Sequence, residues 1–205
     1  MLNKGTWQSQ RSILRQNVTA IKFVEDGDAL LGGTKDGVLW YCQIPNGTLR
    51  AYTFFKSQVY HIDINSSGSH ALVAQMGGRT HLVGIRQDDN KGLVEQAYVL
   101  KDAELQAKAN YDFGASFTSK GKGVLFGCVD GNVIVWDKNK AEPMCGLDHG
   151  EDVVTQAVGS YISKSSNVDF WLVTGSDDGR LTWWMQPQSS DFEDMESPRK
   201  RMKTN

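Results

Sequence analysis

Gly127-Cys128-Val129-Asp130-Gly131-Asn132-Val133-Ile134-Val135-Trp136-Asp137 reads as a strand end, a tight reversal at Asp130-Gly131, and a second strand. Asp-Gly suits a two-residue hairpin because a type I′ turn needs positive φ at both central residues. Aspartate tolerates that conformation, and glycine has no Cβ to oppose it. After the turn, Val133, Val135 and Asp137 fall on one face, and Asn132, Ile134 and Trp136 on the other. A period of two marks a strand rather than a helix.

The same mark recurs along the chain. Gly32-Gly33-Thr34-Lys35-Asp36-Gly37-Val38-Leu39-Trp40 precedes it, and Thr174-Gly175-Ser176-Asp177-Asp178-Gly179-Arg180-Leu181-Thr182-Trp183-Trp184 follows it. A degenerate copy, Gln75-Met76-Gly77-Gly78-Arg79-Thr80-His81-Leu82-Val83, lies between the first two. From Gly37 to Gly78 is 41 residues, from Gly78 to Gly131 is 53, and from Gly131 to Gly179 is 48. Such a period is the signature of a repeat architecture in which each unit is one supersecondary element. Each unit reads as strand, turn, strand, turn, strand. In the last one the strands are Val153 to Tyr161, Phe170 to Gly175 and Arg180 to Trp184.

These residues resemble the WD40 repeat, with its Gly-His pair near the start and its Trp-Asp pair at the end. Trp136-Asp137 is the one literal Trp-Asp, while Trp40-Tyr41 and Trp184-Met185 hold similar places without the aspartate. The resemblance spans residues 10–186 and implies an all-β, WD40-like β-propeller of about four blades. Residues 1–187 are expected to form the blades and residues 188–205 a polar, disordered tail. In the last unit His149 precedes Val153 by four residues, with Asp148 where the family has glycine. The resemblance implies that His149, Thr174, Asp178 and Trp184 form the hydrogen-bonded structural tetrad of that blade. At the threonine position the other units carry Gly32, Val73 and Phe126, so they are expected to rely on apolar packing.

A familiar seven-bladed ring needs roughly 300 residues at this period, and the chain has 205. Three expectations compete: a partial product, a chain that completes a ring with itself or a second half-propeller, and a bare four-bladed arc. The partial product is favoured because Trp7 to Arg15 looks like the outer strand of a missing blade. An open arc would expose the apolar flanks of its end blades, which argues for a missing partner. Within the 53-residue interval, Lys101 to Ala109 holds strong helix formers and no glycine, proline or β-branched residue, and predicts a short surface helix.

Net charge is −2, and the four acids and four bases of the tail cancel, so the propeller part has no basic surplus of the kind a nucleic-acid binder shows. No stretch approaches 18 uncharged apolar residues, so neither a spanning helix nor a membrane partner is expected. The odd, scattered Cys42, Cys128 and Cys145 argue against a disulfide framework or zinc site and for an intracellular, reducing compartment. In the tail, Arg199, Lys200, Arg201 and Lys203 resemble a monopartite nuclear localisation signal beside Ser197-Pro198. A nuclear, a cytoplasmic or a mixed location is compatible with that pattern.

No phosphate-binding glycine loop and no Gly-x-Ser-x-Gly elbow is present, and the four histidines lack metal spacing. His61-Ile62-Asp63 sets an imidazole and a carboxylate on one strand face, a pattern too common to imply a dyad. No catalytic residue, cofactor, metal or small-molecule substrate is therefore expected. The resemblance implies a non-enzymatic scaffold or adaptor for protein or peptide partners. A nuclear adaptor associated with chromatin or nucleic acid is the alternative, with a propeller hydrolase behind it. Candidate partner-binding residues, on loops leading into inner strands, are Gln16, Asn17, Ser57, Gln58, Tyr60, Asn110, Tyr111 and Glu151.

Overall fold

The computed structural model describes residues 17–44, 47, 49–85, 92–150, 153–161 and 171–185. They form four antiparallel sheets, each a meander and each following the last in sequence. The first holds β1 (Val18–Val24), β2 (Ala29–Thr34), β3 (Val38–Gln43) and β4 (Leu49–Phe54). The second holds β5 (Val59–Ile64), β6 (His70–Gln75), β7 (Arg79–Gly84) and β8 (Leu93–Tyr98). The third holds β9 (Asn110–Thr118), β10 (Gly123–Val129), β11 (Asn132–Asp137) and β12 (Pro143–Asp148). The fourth has three described strands, β13 (Thr155–Tyr161), β14 (Trp171–Ser176) and β15 (Leu181–Met185). The expected helix is α1 (Ala103–Lys108), between the second and third sheets.

The three-strand reading of the repeat is thus one strand short in the first three sheets. The missed strands β4, β8 and β12 lie at the outer edge and are mostly solvent-exposed, so burial writes no alternation into them. The first strand of each sheet packs on the first strand of the next, β1 on β5, β5 on β9 and β9 on β13, so the sheets fan out as propeller blades.

Successive blades meet face to face through the same rows of the repeat. Leu31, Leu39 and Tyr41 of the first blade pack on Ile62, Val73 and Val83 of the second. Leu72 and Leu82 of the second pack on Ala115, Phe126 and Trp136 of the third. Leu125, Val133 and Val135 of the third pack on Val158, Leu172 and Trp184 of the fourth. Each fully buried aliphatic side chain in these seams contributes about 1.5–3 kcal/mol.

Polar groups tie the first strands as well. Asp63 on β5 receives Lys22 Nζ from β1 at 3.2 Å, Ser116 Oγ from β9 at 3.2 Å and the Phe117 backbone N–H at 3.0 Å. His61 Nδ1 accepts from the Ala115 N–H at 3.3 Å, and Ser160 Oγ on β13 donates to Phe117 O at 2.7 Å. His61 and Asp63 therefore serve as acceptors between blades.

The hairpins differ in kind from the uniform type I′ expectation. Asp130 and Gly131 both have positive φ, 47° and 77°, and join Val129 to Asn132 in a two-residue loop. At Asp36-Gly37 and Asp178-Gly179 only the glycine is positive, and three residues make the connection. Gly131 has a second reason to be glycine: a Cβ there would stand 2.0 Å from the Gly150 carbonyl oxygen of the segment leading to the next blade. The same contact recurs in the first blade, where Gly37 O accepts from Phe55 N, as Gly131 O does from His149 N.

Cys42, Cys128 and Cys145 are free, the first two buried. Among the described residues no three His, Cys, Asp or Glu side chains converge on a metal position, and no helix is long and apolar enough to cross a membrane.

Candidate functional site

The hairpins and the segments entering each first strand share one end of the propeller, and two adjoining hollows open there. The first, about 480 Å³, lies between the second and third blades, walled by Tyr60, Met76, Gly78, Gln106 and Tyr111. The second, about 570 Å³, lies between the third and fourth blades, walled by Cys128, Asp130, Val153 and Val154. Lys108 and Asn110 border both, so the end of α1 and the start of β9 form the ridge between them.

The floor of the first hollow is fixed by packing. The Tyr111 ring packs, tilted by 31°, at 4.9 Å on Phe126 and fills the space that a Cβ at Gly78 or Gly127 would need. Tyr60 donates its hydroxyl to Tyr111 O at 2.5 Å. Burial raises the Tyr111 phenol above its ordinary value, and its oxygen is buried without a hydrogen-bond partner. On the ridge, Asn110 Nδ2 donates to Thr155 O at 3.3 Å, and Lys108 pairs with Glu104 one helical turn back at 3.2 Å. The helix is held by its cap, Asp102 Oδ1 accepting from Glu104 N and Leu105 N. Exposed Met76 and Val154 give each hollow an apolar lip.

Of the loop residues singled out in the sequence, Tyr60, Asn110 and Tyr111 come together in the first hollow. Ser57 and Gln58 sit behind its rim: Ser57 Oγ donates to Met76 O, and Gln58 O accepts from Met76 N, both at 2.9 Å. Asn17 lies apart, its carbonyl accepting from Lys35 N at the first hairpin. Gln16, Glu151 and the tail residues Arg199, Lys200, Arg201 and Lys203 lie outside the described residues, as do Ser197, the segment Trp7 to Arg15 and the division after residue 187. Met76, Lys108, Cys128, Val153 and Val154 were not singled out in the sequence. The Gly77-Gly78 and Asp130-Gly131 turns, the helical insert and the start of the last unit at Val153 were the signals pointing toward them.

The four residues of the proposed tetrad are distributed as follows. Trp184 Nε1 donates to Thr174 Oγ1 at 2.8 Å, deep in the blade, and His149 stands edge-on to the indole at 5.3 Å. Burial holds the His149 imidazole below its ordinary pKa, and its Nε2 has no hydrogen-bond partner. Asp178 turns to its own hairpin, accepting from Ser176 Oγ and Arg180 N and pairing with the Arg180 guanidinium at 2.8 Å. Those hydrogen bonds, Ser176 first, keep the Asp178 carboxyl below the usual carboxylate value.

Two expectations for the other blades need correction. The second blade is not held by apolar packing alone. Gln75, 2% exposed, links Ser57 Oγ at 3.3 Å to His81 Nδ1 at 2.5 Å, and Phe55 packs on that imidazole. Burial pushes the His81 pKa down. Trp40 does not share the register of Trp136 and Trp184. It pairs with Gly32 and fills the volume above it, whereas Trp136 pairs with Val124 and donates to Phe126 O at 2.8 Å. The place equivalent to Trp136 in the first blade is held by Cys42.

No protein-family model matches the chain, and no curated protein matches it by sequence. Solved structures do. The chain is similar to the β-propeller domain of Cps50 (Swd1) from Myceliophteria thermophila, with a TM-score of 0.68 and 16% identity, over 83% of this chain and 54% of that one. It is also similar to the computationally designed protein Ika4, with a TM-score of 0.62 and 18% identity, over 89% of this chain and 100% of that one. The chain thus spans about half the length of the Cps50 propeller domain, and the likeness establishes a shared β-propeller architecture.

Proposed function

We propose that the chain is a non-enzymatic docking platform that holds an extended segment of a partner protein across the hairpin face. The observation that supports this reading is the pair of hollows sharing one ridge at Lys108 and Asn110. Both are open to solvent along one side rather than enclosed. An extended peptide rises about 3.3 Å per residue, so a short segment crosses the ridge and sets one apolar side chain in each hollow. Lys108 on the ridge and Asp130 beyond it give the track a positive middle and a negative end, which orients a segment with an acidic residue at its centre. Propellers present such loops on a rigid frame, which suits peptide recognition.

Selection of a random peptide library on the purified full chain tests this. Selected peptides should lose at least about tenfold in affinity on Met76→Asp, on Lys108→Glu and on Val154→Asp, since each removes an apolar or charged contact at an exposed lip. Met144→Asp, exposed on the outer strand β12 away from both hollows, should leave binding unchanged. Peptides indifferent to all three face variants would refute the reading.

A further inference from the structure

We propose that two copies of this chain close head to tail, the outer face of the fourth blade of each covering the outer face of the first blade of the other. The inference starts from the seams already described. In each, one blade offers the row two and four residues after its hairpin glycine: Leu39 and Tyr41, then Leu82, then Val133 and Val135. The next blade receives them on its first two strands, at Ile62, at Ala115 and at Val158. The offering residues Leu39, Leu82 and Val133 are at most 3% exposed, and so is the receiving Ile62.

At the ends of the arc the same rows are bare. Gly179 plus two and plus four are Leu181 and Trp183, each 58% exposed, and Met185 continues the row at 67%. Val173 on β14 pairs with Trp183 and extends that face inward. On the first blade, Ile21 pairs with Gly32 as Ile62 pairs with Val73 and Val158 with Thr174, so it holds the receiving position. Ile21 is 60% exposed and Phe23, two residues on, is 63% exposed. One flank is thus the offering half, and the other the receiving half, of a seam the chain builds three times internally. Among the described residues, none covers either half.

A second copy is the occupant that the geometry favours. The arc follows the curvature of a larger propeller and spans about half of it, so two arcs complete about one turn. The contact is heterologous, and such contacts end in a ring when the rotation closes. Among the described residues, neither the row Leu181, Trp183 and Met185 nor the pair Ile21 and Phe23 includes a charged side chain that would oppose the pairing. Uncovered, the two flanks would be sites of association by any apolar surface.

Light scattering coupled to size exclusion on the full chain, with native mass spectrometry, should give twice the 22.8 kDa chain mass at micromolar concentration. Trp183→Glu and Phe23→Glu are substitutions at exposed positions, so each should fold, and each should weaken association by at least about 100-fold. The two variants mixed should form a heterodimer that neither forms alone, because one offering face and one receiving face remain intact between them. A wild-type monomer at 50 µM (about the working range of the method) would overturn the proposal, as would an open-ended ladder of masses. A dimer insensitive to Phe23→Glu would overturn it too, because it would join like faces. The wild-type mass alone decides if a variant fails to fold.

Discussion

Asp63 is the test of what holds neighbouring blades in register. Its carboxylate collects three donors from two other strands, and Phe117, which supplies the backbone one, is 6% exposed. Asp63→Ala leaves that buried N–H without its acceptor, at a cost of about 1.5–3 kcal/mol for a hydrogen bond to a charged group. The Ser116 hydroxyl adds roughly 1 kcal/mol, while Lys22, 44% exposed on its side chain, adds about 0.2–1 kcal/mol because solvent screens it. The total, about 3–5 kcal/mol, corresponds to a drop of about 6–20 °C in Tm for a chain of this size. Urea unfolding followed by tryptophan fluorescence, at one fixed protein concentration, measures it directly. Lys22→Ala should cost no more than about 1 kcal/mol, and Asp63→Asn, which keeps one acceptor oxygen for Phe117 N, should fall between. A loss under about 1 kcal/mol for Asp63→Ala, or Lys22→Ala matching it, would refute the assignment of the seam to the buried N–H.

Thr174→Val should destabilise the chain by about 1–3 kcal/mol, because the buried Trp184 N–H loses its acceptor; an unchanged urea midpoint would mean that the indole finds another partner. His61, His81 and His149 all titrate below the ordinary value of 6.5, chiefly through burial. Their contribution to stability is therefore complete above pH 6.5 and is lost as the pH falls below it toward each folded value. Midpoints measured from pH 7.5 to pH 5 should fall, and a flat or rising profile would count against that accounting. Finally, Arg199, Lys200, Arg201 and Lys203 are expected to carry a reporter fusion into the nucleus, and alanine at all four to return it to the cytoplasm; equal distribution of both fusions would remove that role.

What the sequence made legible follows from where backbone geometry constrains residue type. Positive φ at Gly37, Gly131 and Gly179 leaves glycine as a visible mark, and the alternation beside each mark gave two of the four strands of a blade. The first strand of the last unit was legible because Thr155 and Val158 face inward. The outer strands were not, because Met144, Leu93 and Val94 face solvent and packing sets no pattern there. Trp40 misled for a different reason: tryptophan after Asp-Gly looks alike at plus three and plus five, and only the pairing with Gly32 shows it two pairs nearer the turn. The link from Gln75 to His81 carried no warning, since a buried glutamine is identified by its partners rather than its neighbours in sequence. Three of the face residues were foreseen from loop position, but Lys108 depended on where a helical insert would end.

That insert gives the hairpin face an uneven stiffness. α1 is six residues long with no buried side chain, and a helix so short is marginal without packing. Its amides should exchange with solvent far faster than those of β10 or β11, which open only with larger parts of the molecule. Tyr111 beside it is wedged against two glycines and cannot shift without disturbing the blade. One wall of the first hollow is therefore compliant and its floor is rigid. A ligand that orders α1 loses some binding free energy to that ordering, and in exchange the same track can adjust to segments of different bulk.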